Sequence, residues 1–484
     1  MSASPSPVNT PVPKPWRDAL EGAAAGLLAV VAMAAFAAVA LAVFDPGSVD
    51  SVWALTMAVT ALAVGGSVNI GPDAMPAPPA AAQGGALPGG EAANLTLSGT
   101  AHVVPIAVTL FGAVVLWLAF SWRMRRRPFS TSELAARAIG AMATAVPALL
   151  LAANLGHGTL KLPSGADTAS LGGRLGELVE KLFGAGGLAG GGGGETAAAQ
   201  PPMSYHVSLG ATVVGALVWV VVVLAVGLLA GRRAPVGFTA RGLRPGWAPS
   251  LSAVTRTLLA VAAVMTISGL AGAGDHKAGG GAMLLAPVAL FTALSLGLGS
   301  TWTSSSHQAQ SPVAAGQQPT AAAPPPDHTQ QLGDLTAGGI PLWVVSLVIT
   351  AQLLLGCAYL AARATDPEHA RPLHPYRGPG ARHLGLAERF GVVTAVVLGG
   401  AATLAQTSFK IDVTMAGRAV GGSELNLGGG VLWTFVAGLL AGAVAGFAGS
   451  LLVGEKQRTR VGTRRSPVGV GGPPVVSSPV EPGA

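Results

Sequence analysis

Cysteine is all but missing from this chain: Cys357 is the single one in 484 residues. That excludes an intrachain disulfide and a multi-cysteine zinc site. Within its apolar run Cys357 reads as a small packing residue. Charge is scarce as well. Asp, Glu, Lys and Arg make up 10% of the chain, against about 25% in a soluble globular domain. A soluble fold of this length could bury a large core but would still need a charged surface, so lipid must cover part of this one. Catalytic signatures are missing too. No GxSxG, Walker A, GxGxxG or kinase motif stands in a strand–turn–helix context. The chain therefore reads as non-enzymatic, with no cofactor.

What is there is apolar. Half of the residues are hydrophobic, and the mean hydropathy is +0.56. The 69 Gly and 36 Pro gather between the apolar runs. The pI of about 10.1 raises the question of nucleic acid. The basic residues, however, sit in short blocks beside apolar runs and not on an aromatic-interleaved face, so no nucleic-acid partner is expected. The partner is the lipid bilayer.

Eight runs are candidate spans: 22–44, 103–122, 136–155, 207–230, 252–273, 341–362, 390–407 and 430–453. At about 1.5 Å per residue the first, Gly22–Phe44, exceeds the roughly 30 Å hydrocarbon thickness. Ala40-Leu-Ala42 has the form of a cleavage site, but a signal peptide carries a shorter apolar region. Two further runs, 51–70 and 279–300, are rich in Gly or polar residues, so the choice lies between eight and ten spans.

The positive-inside rule favours eight. Arg123–Arg127, Arg232-Arg233, Arg363 with Arg371, and Lys456–Arg465 each follow a span. With eight spans all four blocks are cytoplasmic, as are both termini. The inner segments then hold 22 of the 28 Lys and Arg, and the outer loops 13 of the 21 Asp and Glu. The runs 51–70 and 279–300 become re-entrant or interfacial segments, which is tolerable only where protein covers them or water fills a cavity.

The long outer loops contain pieces that alternate polar and apolar residues. Gly158–Leu162, Ser204–Leu209 and Phe409–Met415 are examples, with Asn94–Leu97 and Ser423–Leu427. Period-two alternation bounded by Gly predicts short extracytoplasmic β-strands, with irregular loop as the alternative. Leu171, Leu175, Leu178, Val179, Leu182 and Phe183 follow helical spacing and predict a short amphipathic helix. The stretches 190–194 and 308–330 read as linkers.

Leu335-Thr-Ala-Gly-Gly-Ile-Pro-Leu-Trp343 and Leu425-Asn-Leu-Gly-Gly-Gly-Val-Leu-Trp433 share five residues at identical offsets. Each launches an apolar run that ends in basic residues. Internal repetition of this kind speaks for the architecture before any single residue does. The expected fold is an all-α polytopic membrane protein of about eight transmembrane helices. Four helix–outer loop–helix units occupy 22–122, 136–230, 252–362 and 390–453. A disordered cytoplasmic tail, 1–21, precedes the membrane domain 22–454. A basic and then Pro/Gly-rich disordered tail, 455–484, follows it.

Taken together, Ala61-Leu-Ala-Val-Gly-Gly-Ser-Val68, Val104-Pro-Ile-Ala-Val-Thr-Leu-Phe-Gly-Ala113, Leu296-Gly-Leu-Gly-Ser-Thr-Trp302 and the Gly-rich final span resemble the streptophobe family. These are very hydrophobic multi-span proteins of high-GC bacteria. The resemblance covers nearly the whole chain, with 76–90 and 308–326 standing as insertions. The family has no assigned activity, so it implies the architecture and supplies no functional residues.

Coupled transporters usually keep ionisable groups at the bilayer midplane, and none stands in the middle of any of the eight runs. The polar exceptions are Gln352, Gln406 and Asn154. They are either the lining of a substrate path or interhelical hydrogen-bonding groups worth about 0.6–2 kcal/mol each. His102, His157, His206 and His276 lie in or beside outer loops, without HExxH spacing, so loop histidines are expected and not a metal site. Gly438, Gly442, Gly446 and Ser450 recur every four residues on the last span, as Gly22 and Gly26 do on the first. Small residues on one face let backbones approach closely. The last span is therefore expected to be a central packing helix, within the chain or in a homo-oligomer. Trp117, Trp122, Trp219, Trp343 and Trp433 suggest interfacial anchors. The leading functional expectation is a structural or binding role in the cell envelope. The alternative is a transporter or channel for a weakly polar or apolar solute, built on the paired short segments.

Overall fold

The structure is a computed structural model that describes residues 15–44, 51–72, 95–122, 130–160, 203–230, 243–272, 276–309, 328–334, 336–337, 339–365, 381–415 and 418–463. In chain order it forms α1 (Pro15–Phe44), α2 (Val52–Leu62), β1 (Val68–Pro72), β2 (Leu95–His102), α3 (Ile106–Ser121), α4 (Thr131–Leu155), β3 (Gly158–Leu160), β4 (Met203–Val207) and α5 (Leu209–Ala230). Then follow α6 (Leu243–Gly272), α7 (His276–Gly297), β5 (Trp302–Ala309), β6 (His328–Gln331), β7 (Thr336–Ala337), β8 (Ile340–Pro341), α8 (Leu342–Ala364), α9 (Ala381–Ala405), β9 (Thr407–Met415), β10 (Arg418–Gly429) and α10 (Val431–Thr463).

Among the described residues seven helices, α1, α4, α5, α6, α8, α9 and α10, are long and apolar enough to cross a membrane, consistent with a multi-pass membrane protein. Large apolar side chains such as Leu28, Val218, Ile267, Leu440 and Val444 stand exposed on them. Water would penalise that surface and lipid would not. Local chemistry sets several helix starts. Ser130 and Glu133 form a reciprocal capping box at α4, which satisfies two amides that the helix itself leaves open. Ser51 caps α2 by accepting from the Ala54 amide. Pro105 and Pro341 stand at the N-caps of α3 and α8.

Eight strands form one sheet in the order β3-β4-β1-β2-β9-β10-β5-β6. Every neighbouring pair is antiparallel. β7 and β8 pair separately. The order repeats itself. The first half of the chain contributes β3-β4-β1-β2, and the second contributes β9-β10-β5-β6 in the same arrangement. Helices α1, α4, α6 and α9 lead toward this sheet, and α3, α5, α8 and α10 lead away. All eight strands therefore lie at one end of the bundle. The apolar core divides similarly. One cluster joins α1, α3, α4 and α5 around Met33, Phe120, Leu149 and Trp219. A second joins α6, α7, α8, α9 and α10 around Phe291, Leu294, Trp302 and Phe390, with Val104 and Ile106 reaching in from the first half. A third, smaller one gathers Ala58, Ala61 and Ala153 with Tyr205 and Val207 of β4.

Several expectations need correction. Residues 15–21 belong to α1 and 455–463 to α10, and the rest of both expected tails lies outside the described residues. Residues 308–309 and 328–330 are strand, not linker, because they pair across β5 and β6 or against β10. The run 103–122 yields a helix of 16 residues, about 24 Å long, since β2 extends to His102 and Pro105 follows. The segment 279–300 lies largely in a helix of 22 residues. The amphipathic helix expected at 171–183 and the linker at 190–194 lie outside the described residues. The last span is not the most enclosed helix. The α9 segment is 67% buried, against 28% for α10. Glycine seats one face of α10 deeply, while Leu432, Trp433, Leu440 and Val444 leave its other face open.

Candidate functional site

The three polar residues weighed as a solute path are not brought together. Asn154 and Gln352 are exposed on α4 and α8. Gln406 follows α9, and its Nε2 donates to the Gly429 carbonyl at 3.1 Å. The Asn154 carbonyl is 2.7 Å from His157 Nδ1. His206 Nε2 lies 3.5 Å from Asn69 Nδ2 across the β1–β4 pair. No group of three His, Cys, Asp or Glu that could hold a metal occurs among the described residues.

The small-residue stripe of α10 faces α9 within the chain. A Cβ on Gly438 would meet the Ala395 Cα at 3.3 Å. On Gly442 it would meet the Thr394 Cβ at 2.8 Å and the Gly391 Cα at 2.9 Å, and on Gly446 the Ala387 Cα at 3.0 Å. Ser450 Oγ is 2.8 Å from His383 Nδ1. Gly22, Gly26 and Gly140 make the same close crossing between α1 and α4, each against a backbone carbonyl of the other helix. Beside that crossing Arg137 pairs with Glu21 and donates to the Phe120 carbonyl at 3.3 Å. Of the tryptophans, Trp122, Trp343 and Trp433 are exposed, whereas Trp219 is buried in the first core.

The most informative geometry lies where α2 and α7 end. Their two turns match bond for bond. The Gly65 amide donates to the Leu62 carbonyl at 2.9 Å, and the Gly299 amide to the Leu296 carbonyl at 2.9 Å. The Gly66 amide donates to Ala61 at 3.2 Å, and the Ser300 amide to Ser295 at 3.1 Å. The Ser208 amide reaches the Ser67 carbonyl at 2.8 Å, and the Gly430 amide reaches Thr301 at 3.3 Å. Gly65 and Gly299 have φ of 95° and 79°, the left-handed region that only glycine enters cheaply. Beyond the turns Val68 stands opposite Val207, and Trp302 opposite Gly429. Thr212 and Thr434 then begin α5 and α10 alike. Each hydroxyl donates to the carbonyl four residues back, at 2.8 and 3.0 Å.

The two places are filled differently. In the first half, Gly215 brings the α5 backbone onto the Val64 carbonyl, where a Cβ would overlap. Trp219, one turn on, packs into the same cluster as Val64 and Val108. Along α10 the residues at the same steps beyond Thr434 are Ala437 and Ala441. Both line an open cleft of about 560 Å³, together with Leu296, Leu298, Trp302 and Leu347. Trp343, Gly299 and Gln331 also border it. Trp302 is fully buried, and its indole N–H has no acceptor among the described residues.

On the sheet, Tyr205 is buried, and its hydroxyl has no partner among the described residues. Burial pushes its phenol above the ordinary value, because a phenolate would lose its hydration there.

Reading the residues alone singled out Leu296–Trp302 as a motif but did not find this cleft. Setting it beside Ala61–Val68 shows shared Leu and Gly at matching steps, and that was the available signal. No family model, no curated protein and no solved structure matches the chain.

Proposed function

We propose that this chain is an integral membrane protein of the bacterial cell envelope with a structural or binding role, eight spans and both termini cytoplasmic. In this reading the sheet is an extracytoplasmic platform held on the helix bundle. The observation that carries it is the continuous eight-stranded sheet at one end of the bundle, fed by every ascending helix and drained by every descending one. In the sequence each basic block follows a helix that leads away from the sheet, as the positive-inside rule expects of a cytoplasmic face. The dispersal of Asn154, Gln352 and Gln406 weighs in the same direction, since a solute path would gather them. An oligomer through the glycine stripe of α10 would first have to displace α9.

The second reading is a transporter or channel for a weakly polar or apolar solute. The equivalent placement of α2 and α7 favours it, because paired short segments in corresponding halves are a pointer to a transport site. Proteoliposomes of the purified full chain separate the two. Under the structural reading, osmotic swelling in glycerol or urea matches that of protein-free vesicles. Solute entry above that baseline would replace the structural reading with the second.

A further inference from the structure

We propose that the cleft between α7, α8 and α10 is a binding site for one ester-linked amphiphile. Its apolar chain would lie along Leu298, Leu347 and Ala441, and its carbonyl would accept from the indole N–H of Trp302. Three observations carry this. First, the cleft is a difference between two otherwise matched places. The turn at Gly65 is closed by Gly215 and Trp219, whereas the turn at Gly299 faces Ala437 and Ala441 and stays open. Imperfect packing common to any helix–turn junction would have left both open. Second, the volume of about 560 Å³ falls within the range of about 300–1,000 Å³ seen for small-molecule sites. The walls are mainly apolar, with Ser300, Thr301 and Gln331 at the turn and the sheet, so a chain that is largely hydrocarbon with a polar end is the matching occupant.

Third, Trp302 supplies a buried donor with no acceptor among the described residues. A donor left so carries an uncompensated desolvation cost, and the equivalent position in the first half is the aliphatic Val68, which has no such requirement. An acceptor arriving with the ligand removes that cost. A carbonyl on an apolar chain suits both the donor and the walls. The entrance fits a lipid source. Trp343 and Leu347 are half-exposed on the outer face of α8, and Trp433 lies near Gly299 at the start of α10. Tryptophans at helix ends mark the level of lipid headgroups and ester groups. The inference rests on the membrane-embedded reading above.

The test uses full-length protein delipidated in maltoside micelles. Diacyl phosphatidylethanolamine or its dialkyl ether analogue is added and followed by native mass spectrometry. The wild type should retain one diacyl lipid per chain and bind the ether analogue about tenfold more weakly. That is the factor for about 1.4 kcal/mol, close to the worth of one hydrogen bond. Ala441→Trp, which supplies the side chain found at position 219, should abolish the single bound lipid. Trp302→Phe, which keeps an aromatic side chain but removes the donor, should erase the preference for ester over ether and guards against misfolding of the first variant. Equal retention by wild type and Ala441→Trp, or lipid bound only in graded, non-stoichiometric numbers, would overturn the site. Vesicle impermeability and outside labelling would be untouched by that failure, so the ligand could fall while the envelope reading stands.

Discussion

Tyr205 shows how one side chain ties the sheet to pH. Its phenol is buried beneath β4, and burial pushes its pKa above the ordinary 10.0. The unfolded chain therefore releases this proton first as pH rises. The stability Tyr205 contributes is fully present below about pH 10 and is lost as pH climbs through the higher folded value. Tyr205→Phe removes the titration. Its thermal midpoint in detergent should fall less steeply above pH 10 than that of the wild type, with little change at pH 7. Identical alkaline slopes would mean that burial of this phenol is not felt. Trp302 makes a related point. Its sequence neighbourhood is a Gly/Ser-rich turn, which suggests exposure, yet it is fully buried. The cause is Gly429 across the β5–β10 pair, where the bare backbone accepts the indole ring. That partner lies far away in sequence, so no local pattern could announce it.

At the scale of the element, the α9–α10 crossing is the tightest test of small-residue packing. Gly442→Leu would drive a side chain into Thr394 and Gly391, whose atoms already lie within 3 Å of a Cβ there. Overpacking costs about 1–3 kcal/mol when a core can yield, and more when backbone blocks it. Monodisperse yield in detergent should collapse for Gly442→Leu. The same change at Gly356, which has open space around it, should leave yield intact. Equal yields would show that the stripe is not a packing contact. The long helices were legible in sequence because apolar length alone specifies a span. β3, Gly158–Leu160, falls within the predicted 158–162, and β4, Met203–Val207, overlaps the predicted 204–209, whose last residue instead starts α5, since alternation marks a half-buried strand. Which strand lies beside which was not legible. β2 pairs with β9 from the far half, and pairing over such separation leaves no short-range trace. The reach of α1 back to Pro15 was also missed, because Asp18 and Glu21 read as tail. The Glu21–Arg137 pair lets that charged turn remain helical against α4.

For the whole molecule, the eight-span arrangement makes a direct prediction. The chain between β1 and β2, and that between β5 and β6, should both lie outside the cell. With Cys357 replaced by Ala, single cysteines at Ala80 and Thr320 should react with an impermeant maleimide on intact cells. Protection at either, with reaction after lysis, would invert the topology. Within that arrangement the two halves of the sheet meet along one seam, β2 against β9, with register running from Leu95–Met415 to His102–Ser408. Antiparallel bonds run perpendicular to their strands, and the halves lie on either side of that seam. Sliding one half past the other along the strands would thus load every bond of the seam together, whereas drawing the halves apart from one end would open them one after another. The seam is a clasp. At the sheet end the two halves therefore resist sliding past one another as one body.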